Sequence, residues 1–199
     1  MQIKRIPAGV YATNCYILMD EGTKEAAVID PGGEADNLIK AAKDMGAKVK
    51  YILLTHGHAD HTGAAVQLKK EFTAPIYINE QDYKLINNGE FMYGDIVESV
   101  DKYINEGDTF ILGSMQIKCI LTPGHTPGGV CFIVNDKVFT GDTLFAGSIG
   151  RTDLAGGDFE TIIKSIKEKL MELPDHMRVL PGHGLESNIG REKMYNPFL

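Results

Sequence analysis

The chain has 199 residues, of which 43 % are hydrophobic and 24 % charged, a composition that excludes a mostly disordered or fibrous polypeptide and predicts one folded domain over residues 1–199. Its 27 acidic against 20 basic side chains give a formal charge of −7. With no basic run to concentrate positive potential, nucleic acid and anionic membrane surfaces are excluded as first-choice partners.

In chain order, β-rich runs at Gln2–Ile6, Cys15–Met19 and Ala26–Asp30 predict strands, the last stopped by Pro31-Gly32-Gly33. From Glu34 the period changes: Leu38, Ala42 and Met45 recur at helical spacing and Gly46 supplies a left-handed stop. Tyr51–Leu54 is a continuous apolar run, as expected of a strand covered on both faces. It leads into Thr55-His56-Gly57-His58-Ala59-Asp60-His61, after which a second helix places Ala65, Leu68 and Phe72 on one face. Pro75–Ile78 reads as a strand and Gln81–Ile86 as a short helix, and the stretch to Glu98 carries no clear pattern. Strand character returns at Thr109–Leu112, Gln116–Leu121, Val130–Val134 and Val138–Thr140, with a hairpin turn at Asn135-Asp136. A last amphipathic helix, capped by Asp158, is expected to bury Phe159, Ile162, Ile163, Ile166 and Leu170 before a short strand at Arg178–Leu180. Strand blocks alternating with helices predict an α/β fold with helices outside the sheets.

Cys15, Cys119 and Cys131 are odd in number and far apart, without a C-x-x-C pair. Neither a disulfide framework nor a thiolate zinc site is encoded, and a reducing compartment is expected. No apolar stretch approaches the roughly 20 residues of a membrane span. Met1–Pro7 lacks the apolar block of a secretory signal, so the expected location is cytoplasmic.

Four places share one local grammar, an apolar strand ending in a tight turn that presents a metal-competent side chain: Leu53-Leu54-Thr55-His56, Leu121-Thr122-Pro123-Gly124-His125, Phe139-Thr140-Gly141-Asp142 and Leu180-Pro181-Gly182-His183. Functional groups gather at the carboxyl ends of strands because loops there are rigidly held yet open to solvent. Five of the six histidines fall in these turns, and His176 reads as a surface residue. The run H-x-H-x-D-H suits two ions better than one, because His56 and His58 in an extended turn point to one side while Asp60 and His61 enter a helix and point elsewhere. Adding His125 to the first pair and His183 to the second gives each ion three protein ligands, and Asp142 is placed to bridge them. Imidazole and carboxylate without thiolate favour zinc first, with iron or manganese compatible. A water bound there ionises near neutral pH, so hydrolysis needs no serine or cysteine nucleophile.

These residues, with Asp30 closing Val28-Ile29-Asp30-Pro31-Gly32, resemble the metallo-β-lactamase superfamily, in order and over nearly the whole chain. The resemblance implies a four-layer αβ/βα sandwich of two mixed sheets with helices on the outer faces and the metals at one edge. It implies the ligand set His56, His58, Asp60, His61, His125, Asp142 and His183, with Asp30 behind the ligands orienting their loop. Gly141–Phe145 and Gly147–Asp153 are similar to glyoxalase II, the hydroxyacylglutathione hydrolases, in their short bacterial form. That similarity implies hydrolysis of a small-molecule thioester by a hydroxide held between the metals, with Asp60 handling the proton.

Only sixteen residues, Gly184–Leu199, follow His183, whereas full-length glyoxalase II enzymes carry a helical extension that contacts glutathione. Arg151 is the candidate contact for a substrate carboxylate, because arginine offers a planar fork. Arg191 and Lys193 are weaker candidates that read equally well as solvated bases. Two readings of the same fold stay open beside the hydrolase. One is a persulfide dioxygenase using one iron on His56, His125 and Asp142, and the other is a lactonase. A protein whose metals merely hold the fold is disfavoured by the glycine-rich ligand loops, since structural sites are usually closed by four ligands. A β-lactamase usually has cysteine where Asp142 stands, and an export signal. Monomer and homodimer both remain open.

Overall fold

The computed structural model describes residues 1–199. Strands β1 (Gln2–Ala8), β2 (Thr13–Met19), β3 (Glu25–Ile29), β4 (Lys48–Leu53), β5 (Ile76–Ile78) and β6 (Val100–Tyr103) form one sheet in sequence order. The first three are antiparallel and the rest parallel. Parallel neighbours need crossover connections: α1 (Ala35–Asp44), then α2 (Ala59–Thr62) with α3 (Ala65–Phe72), then α4 (Glu80–Asn87). The second half gives β7 (Thr109–Leu112), β8 (Met115–Leu121), β9 (Val130–Val134), β10 (Lys137–Gly141), the small hairpin β11 (Leu144–Phe145) and β12 (Ser148–Ile149), helix α5 (Phe159–Ser165), β13 (Arg178–Pro181), β14 (Ser187–Asn188) and α6 (Ile189–Tyr195). Its six-stranded sheet has the order β14-β13-β10-β9-β8-β7 and is also mixed, because β10 and β13 run parallel across the α5 connection.

The period-2 alternation of side chains sorts the buried residues into three apolar layers. Cys15 and Ile17 of β2, Val28 of β3 and Ile52 of β4 face outward onto Leu38, Ala42 and Leu68 of the first helical layer. Their neighbours Tyr16, Leu18, Ile29 and Leu53 face inward and meet Phe110, Ile117, Phe132, Phe139 and Leu180 of the other sheet. On the far side Cys131, Val138 and Val179 pack against Ile162, Ile166 and Leu170. Three cores between four layers are the αβ/βα sandwich, and every residue of β2 is buried because both its faces are covered. All three cysteines are buried and unpaired. No helix is long and apolar enough to cross a membrane.

Several elements depart from the sequence expectation. The helix expected after His61 is broken into α2 and α3 at Gly63–Ala64, where Ala64 N–H donates to Pro31 O at 2.8 Å. A Cβ on Gly32 would stand 1.9 Å from Asp60 O, so the glycine is what lets the Pro31–Gly33 turn lie against the ligand helix. Phe159, expected in the core, is 54 % exposed. Its angular position is right, but the first turn of α5 rests on Gly124, which offers backbone and no apolar side chain. Strand β6, just beyond Glu98, is not among the expected elements; three of its four side chains are exposed and polar or aromatic, as suits an edge strand guarded by charge. The tail after Ser187 is folded: Asn188 caps α6, and buried Glu192 accepts from Gly147 N–H at 2.8 Å and from Ser187 Oγ.

Candidate metal centre

Strands β4, β8, β10 and β13 end at Leu53, Leu121, Gly141 and Pro181, and the four turns that follow converge at one edge between the two sheets. His56 and His58 lie in the turn after β4, with His58 extended (φ −67°, ψ 148°) as the residue before α2, while Asp60 and His61 sit in the helix itself. His125 comes from the β8–β9 loop, Asp142 follows β10 and His183 follows β13. His56, His58, His61 and His125 are buried, and Asp60, Asp142 and His183 partly open to a cavity.

Three overlapping donor groups form, the ligand atoms of each lying within 4.8 Å of one another: His56, His58 and His125; Asp60, His61 and His183; and, joining these two triads, His56, His61 and Asp142. Asp142 stands between them, Oδ1 3.3 Å from His61 Nε2 and Oδ2 3.6 Å from His125 Nε2 and 3.5 Å from His183 Nε2. All seven sequence-predicted donors are therefore brought together, and His176 is exposed elsewhere.

The hydrogen bonds behind the rings aim their lone pairs inward. His125 Nδ1 lies 2.7 Å from Arg151 O, which only accepts, so this nitrogen carries the proton and Nε2 presents a lone pair. His61 Nδ1 donates to Asp30 Oδ2 at 2.9 Å, with the same result. Thr55 Oγ1 donates to Asp30 Oδ2 at 2.6 Å, which leaves it to accept from His56 Nδ1 at 3.1 Å and frees His56 Nε2. His58 faces the cluster through Nδ1, 3.0 Å from His125 Nε2. His56 Nε2, His58 Nε2 and Asp142 Oδ1 are buried without a hydrogen-bond partner. Facing lone pairs, and the unpartnered His56 Nε2 and Asp142 Oδ1 among them, are expensive unless a cation satisfies them, so the ligand set fits divalent metal.

Without metal, the charges divide the rings into two groups. Burial, then the neighbouring imidazoles, hold His56 well below the usual histidine range and His58 down to about 3. Burial works against the charged form of His61 as well, but Asp142 and Asp30 outweigh it and raise the ring well above that range. Burial would raise Asp142, yet the charges of His61 and His125 keep its carboxyl low.

Asp30 reaches this position through a left-handed turn (φ 49°) that aspartate tolerates better than most residues. Its carboxylate also accepts from Thr55 N–H at 2.7 Å, so one side chain fixes the β4 turn and two rings. Asp30→Ala is expected to weaken metal binding about 10- to 100-fold, read by competition with a chromophoric chelator.

Two features of the site escaped the sequence reading. Asp82 of α4 is fully buried, and burial pushes its carboxyl up to about 6 against the hydrogen bonds that pull it down. Its only signal was an acid inside a short helical pattern. The cavity walls, Tyr11, Met92 and Leu154, come from loops with no motif.

The sequence pattern of the metallo-β-lactamase superfamily matches residues 8–183. The chain belongs to this superfamily. Among curated relatives, the hydroxyacylglutathione hydrolase GloC of Haemophilus influenzae is 41 % identical over 100 % of this chain and 98 % of its own length. Among solved structures, the BLEG-1 B3 metallo-β-lactamase is 35 % identical with a TM-score of 0.88, covering 100 % of this chain and 99 % of that one. TTHA1623 in a di-iron-bound form is 32 % identical with a TM-score of 0.86, covering 98 % and 100 %. The metallo-β-lactamase fold carries divalent metal, and nothing in the imidazole and carboxylate donors here selects zinc over iron.

Proposed function

We propose that this chain is a dinuclear metal-dependent hydrolase that cleaves thioesters, in the manner of glyoxalase II. The observation that carries the reading is the pair of complete donor triads with Asp142 between them, facing a cavity of about 310 Å³. One ion would be held by His56, His58 and His125, and the other by Asp60, His61 and His183. When bound, the ions supply a water ionised near neutral pH and positive charge for the oxygen of a carbonyl under attack.

The chain's own groups supply the rest. Asp60 lines the cavity and is held by Thr13 Oγ1 at 2.9 Å, with His183 Nε2 3.2 Å away. Burial favours its neutral acid, but His183, His61 and Thr13 hold the carboxyl well below the usual range. Asp60 is thus a carboxylate at the edge of the cavity, the group we assign to relay a proton toward the departing thiolate. Thiolate is a good leaving group and needs little further acid assistance.

The cavity walls support a substrate whose recognised part is apolar. Besides five of the donors, the lining is Tyr11, Met92, Leu154 and Arg151. Met92, one of the apolar walls, is held at φ 73°, a conformation that costs a non-glycine residue energy. Arg151 is engaged by Asp153 through two contacts of 2.7 Å, so it meets a substrate carboxylate only by exchanging that partner. Lys193 is paired with Asp175, and neither it nor Arg191 lines the cavity. Glutathione, with two carboxylates, finds one arginine.

The test is turnover by zinc-, manganese- and iron-loaded protein of S-lactoylglutathione, a series of acyl thioesters of one neutral thiol, a lactone and a β-lactam. Thioester cleavage is expected, with kcat/KM rising as the acyl chain lengthens, by up to about fourfold per methylene while it is fully buried. Oxygen uptake on glutathione persulfide by iron-loaded protein, with no thioester cleavage, would establish the dioxygenase reading instead. Exclusive lactone or β-lactam turnover would keep the hydrolase and discard the thioester.

A further inference from the structure

One buried carboxylate lies outside the donor set and ties two of its loops together. Asp82, in the first turn of α4, is 0 % exposed. Its Oδ2 accepts from Gly57 N–H at 2.8 Å and from Thr126 Oγ1 at 2.8 Å, and its Oδ1 accepts from Gly128 N–H at 2.6 Å. Gly57 sits between His56 and His58, and Thr126 directly follows His125. All three donors thus belong to the two loops that carry the all-histidine triad. Asp82 makes no hydrogen bond to helix α2, which carries Asp60 and His61, or to the turn after β13, which carries His183. Both glycines are needed for the approach: a Cβ at Gly57 would lie 3.2 Å from Asp82 Cβ, and one at Gly128 would lie 2.6 Å from Oδ1.

We infer that Asp82 is a positioning residue that holds the His56–His58 turn and the His125 loop in register, setting the affinity of the all-histidine metal position while leaving the Asp60/His61/His183 position unchanged. This rests on the two-ion reading above. The physical reason is leverage. A ligand ring bonds a metal well only within a narrow range of position, the β4 turn and the β8–β9 loop come from different sheets, and Asp82 is a single rigid group bonded to both. Asp30 fixes the β4 turn from behind, through Thr55, but makes no bond to the His125 loop. Without Asp82, His125 keeps its bond to Arg151 O and Val130 N–H still donates to Thr55 O at 2.8 Å, but Gly57, Thr126 and Gly128, the residues beside the ligands themselves, lose their common partner.

The experiment is a cobalt(II) titration of metal-free protein followed by visible absorption, with total metal counted by elemental analysis. His125→Ala and His183→Ala identify which binding step belongs to which triad. Wild type is expected to bind two ions. In Asp82→Ala the step marked by His125→Ala should weaken about 10- to 100-fold, with the other step moving by less than about twofold. Asp82→Asn, which keeps one acceptor oxygen, should fall between the two. Gly128→Ala, whose new methyl group displaces the same carboxylate, should reproduce the selective shift if Asp82→Ala does not fold. Equal weakening of both steps, or of neither, would overturn the inference while the two-ion reading stands. A wild-type protein that binds one ion in total would overturn the two-ion reading and the selectivity built on it.

Discussion

Asp142→Ala is expected to reduce thioester kcat/KM by at least about 10³-fold, roughly 4 kcal/mol of transition-state stabilisation, and to lower the metal content of the loaded protein below two ions per chain. Asp142 is the one donor within 3.6 Å of ring nitrogens from both triads, and its Oδ1 has no hydrogen-bond partner of its own. In the proposed two-ion centre its removal would leave the cations facing five imidazoles and a single carboxylate, Asp60, which lies on one side only. Asp142→Asn separates charge from shape, because the amide keeps an acceptor oxygen in place and loses the negative charge. Turnover of the amide variant close to the alanine variant would assign the effect to charge. Elemental analysis of both proteins after loading and desalting, beside steady-state kinetics, checks the expectation. Preserved turnover in Asp142→Ala would refute a mechanism that depends on both ions.

Much of this centre was legible in the sequence because its signals are local. The two-residue step from His56 to His58 and the three-residue step from His58 to His61 decide which way each side chain points before any tertiary contact forms. The apolar run before each donor marks the strand that carries it. The continuous apolar run Tyr51–Leu54 likewise contains the layered core, since a strand covered on both faces needs a layer on each side, and Ile52 and Leu53 do fall in two different cores. What escaped notice depends on contacts between distant segments. Asp82 acts on Gly57 and Gly128 across 25 and 46 residues of chain, and an acid in the first turn of a helix is ordinarily a solvated residue favoured by the dipole. Tyr11, Met92 and Leu154 share a cavity although they come from three loops, so no window of the sequence contains them together. Phe159 failed for the complementary reason: periodicity gives the angle of a side chain about the helix axis but not whether anything apolar lies opposite the first turn.

Stripping the metals with a chelator is expected to lower the melting temperature by about 8–16 °C per ion. An ion at a thousand times its dissociation constant contributes about 4 kcal/mol, and a domain of this size shifts by about 2–4 °C per kcal/mol. The size of that effect should depend on pH with a definite sign. In the metal-free protein His56, His58 and His125 are held below their unfolded value of about 6.5, chiefly by burial. Between pH 6.5 and roughly 3, where His58 titrates in the fold, the unfolded chain takes up protons that the folded chain refuses. The stability these three contribute is full above pH 6.5 and is lost as pH falls. His61 and His183 run the other way, because carboxylate partners overcome burial and raise both rings. Their contribution is full below pH 6.5 and is lost as pH rises through their folded values. Metal-free protein should therefore melt highest at intermediate pH. Metal-loaded protein behaves differently, because a metal competes with protons for all five imidazoles and binding releases them. The gap in melting temperature between loaded and stripped protein should shrink steadily from pH 7.5 to pH 5 as protons displace the ions. Thermal melts of both forms at half-unit pH intervals measure it directly. A gap that stays constant down to pH 5 would mean that imidazoles do not hold the metal, and the centre described above would have to be assigned to other ligands.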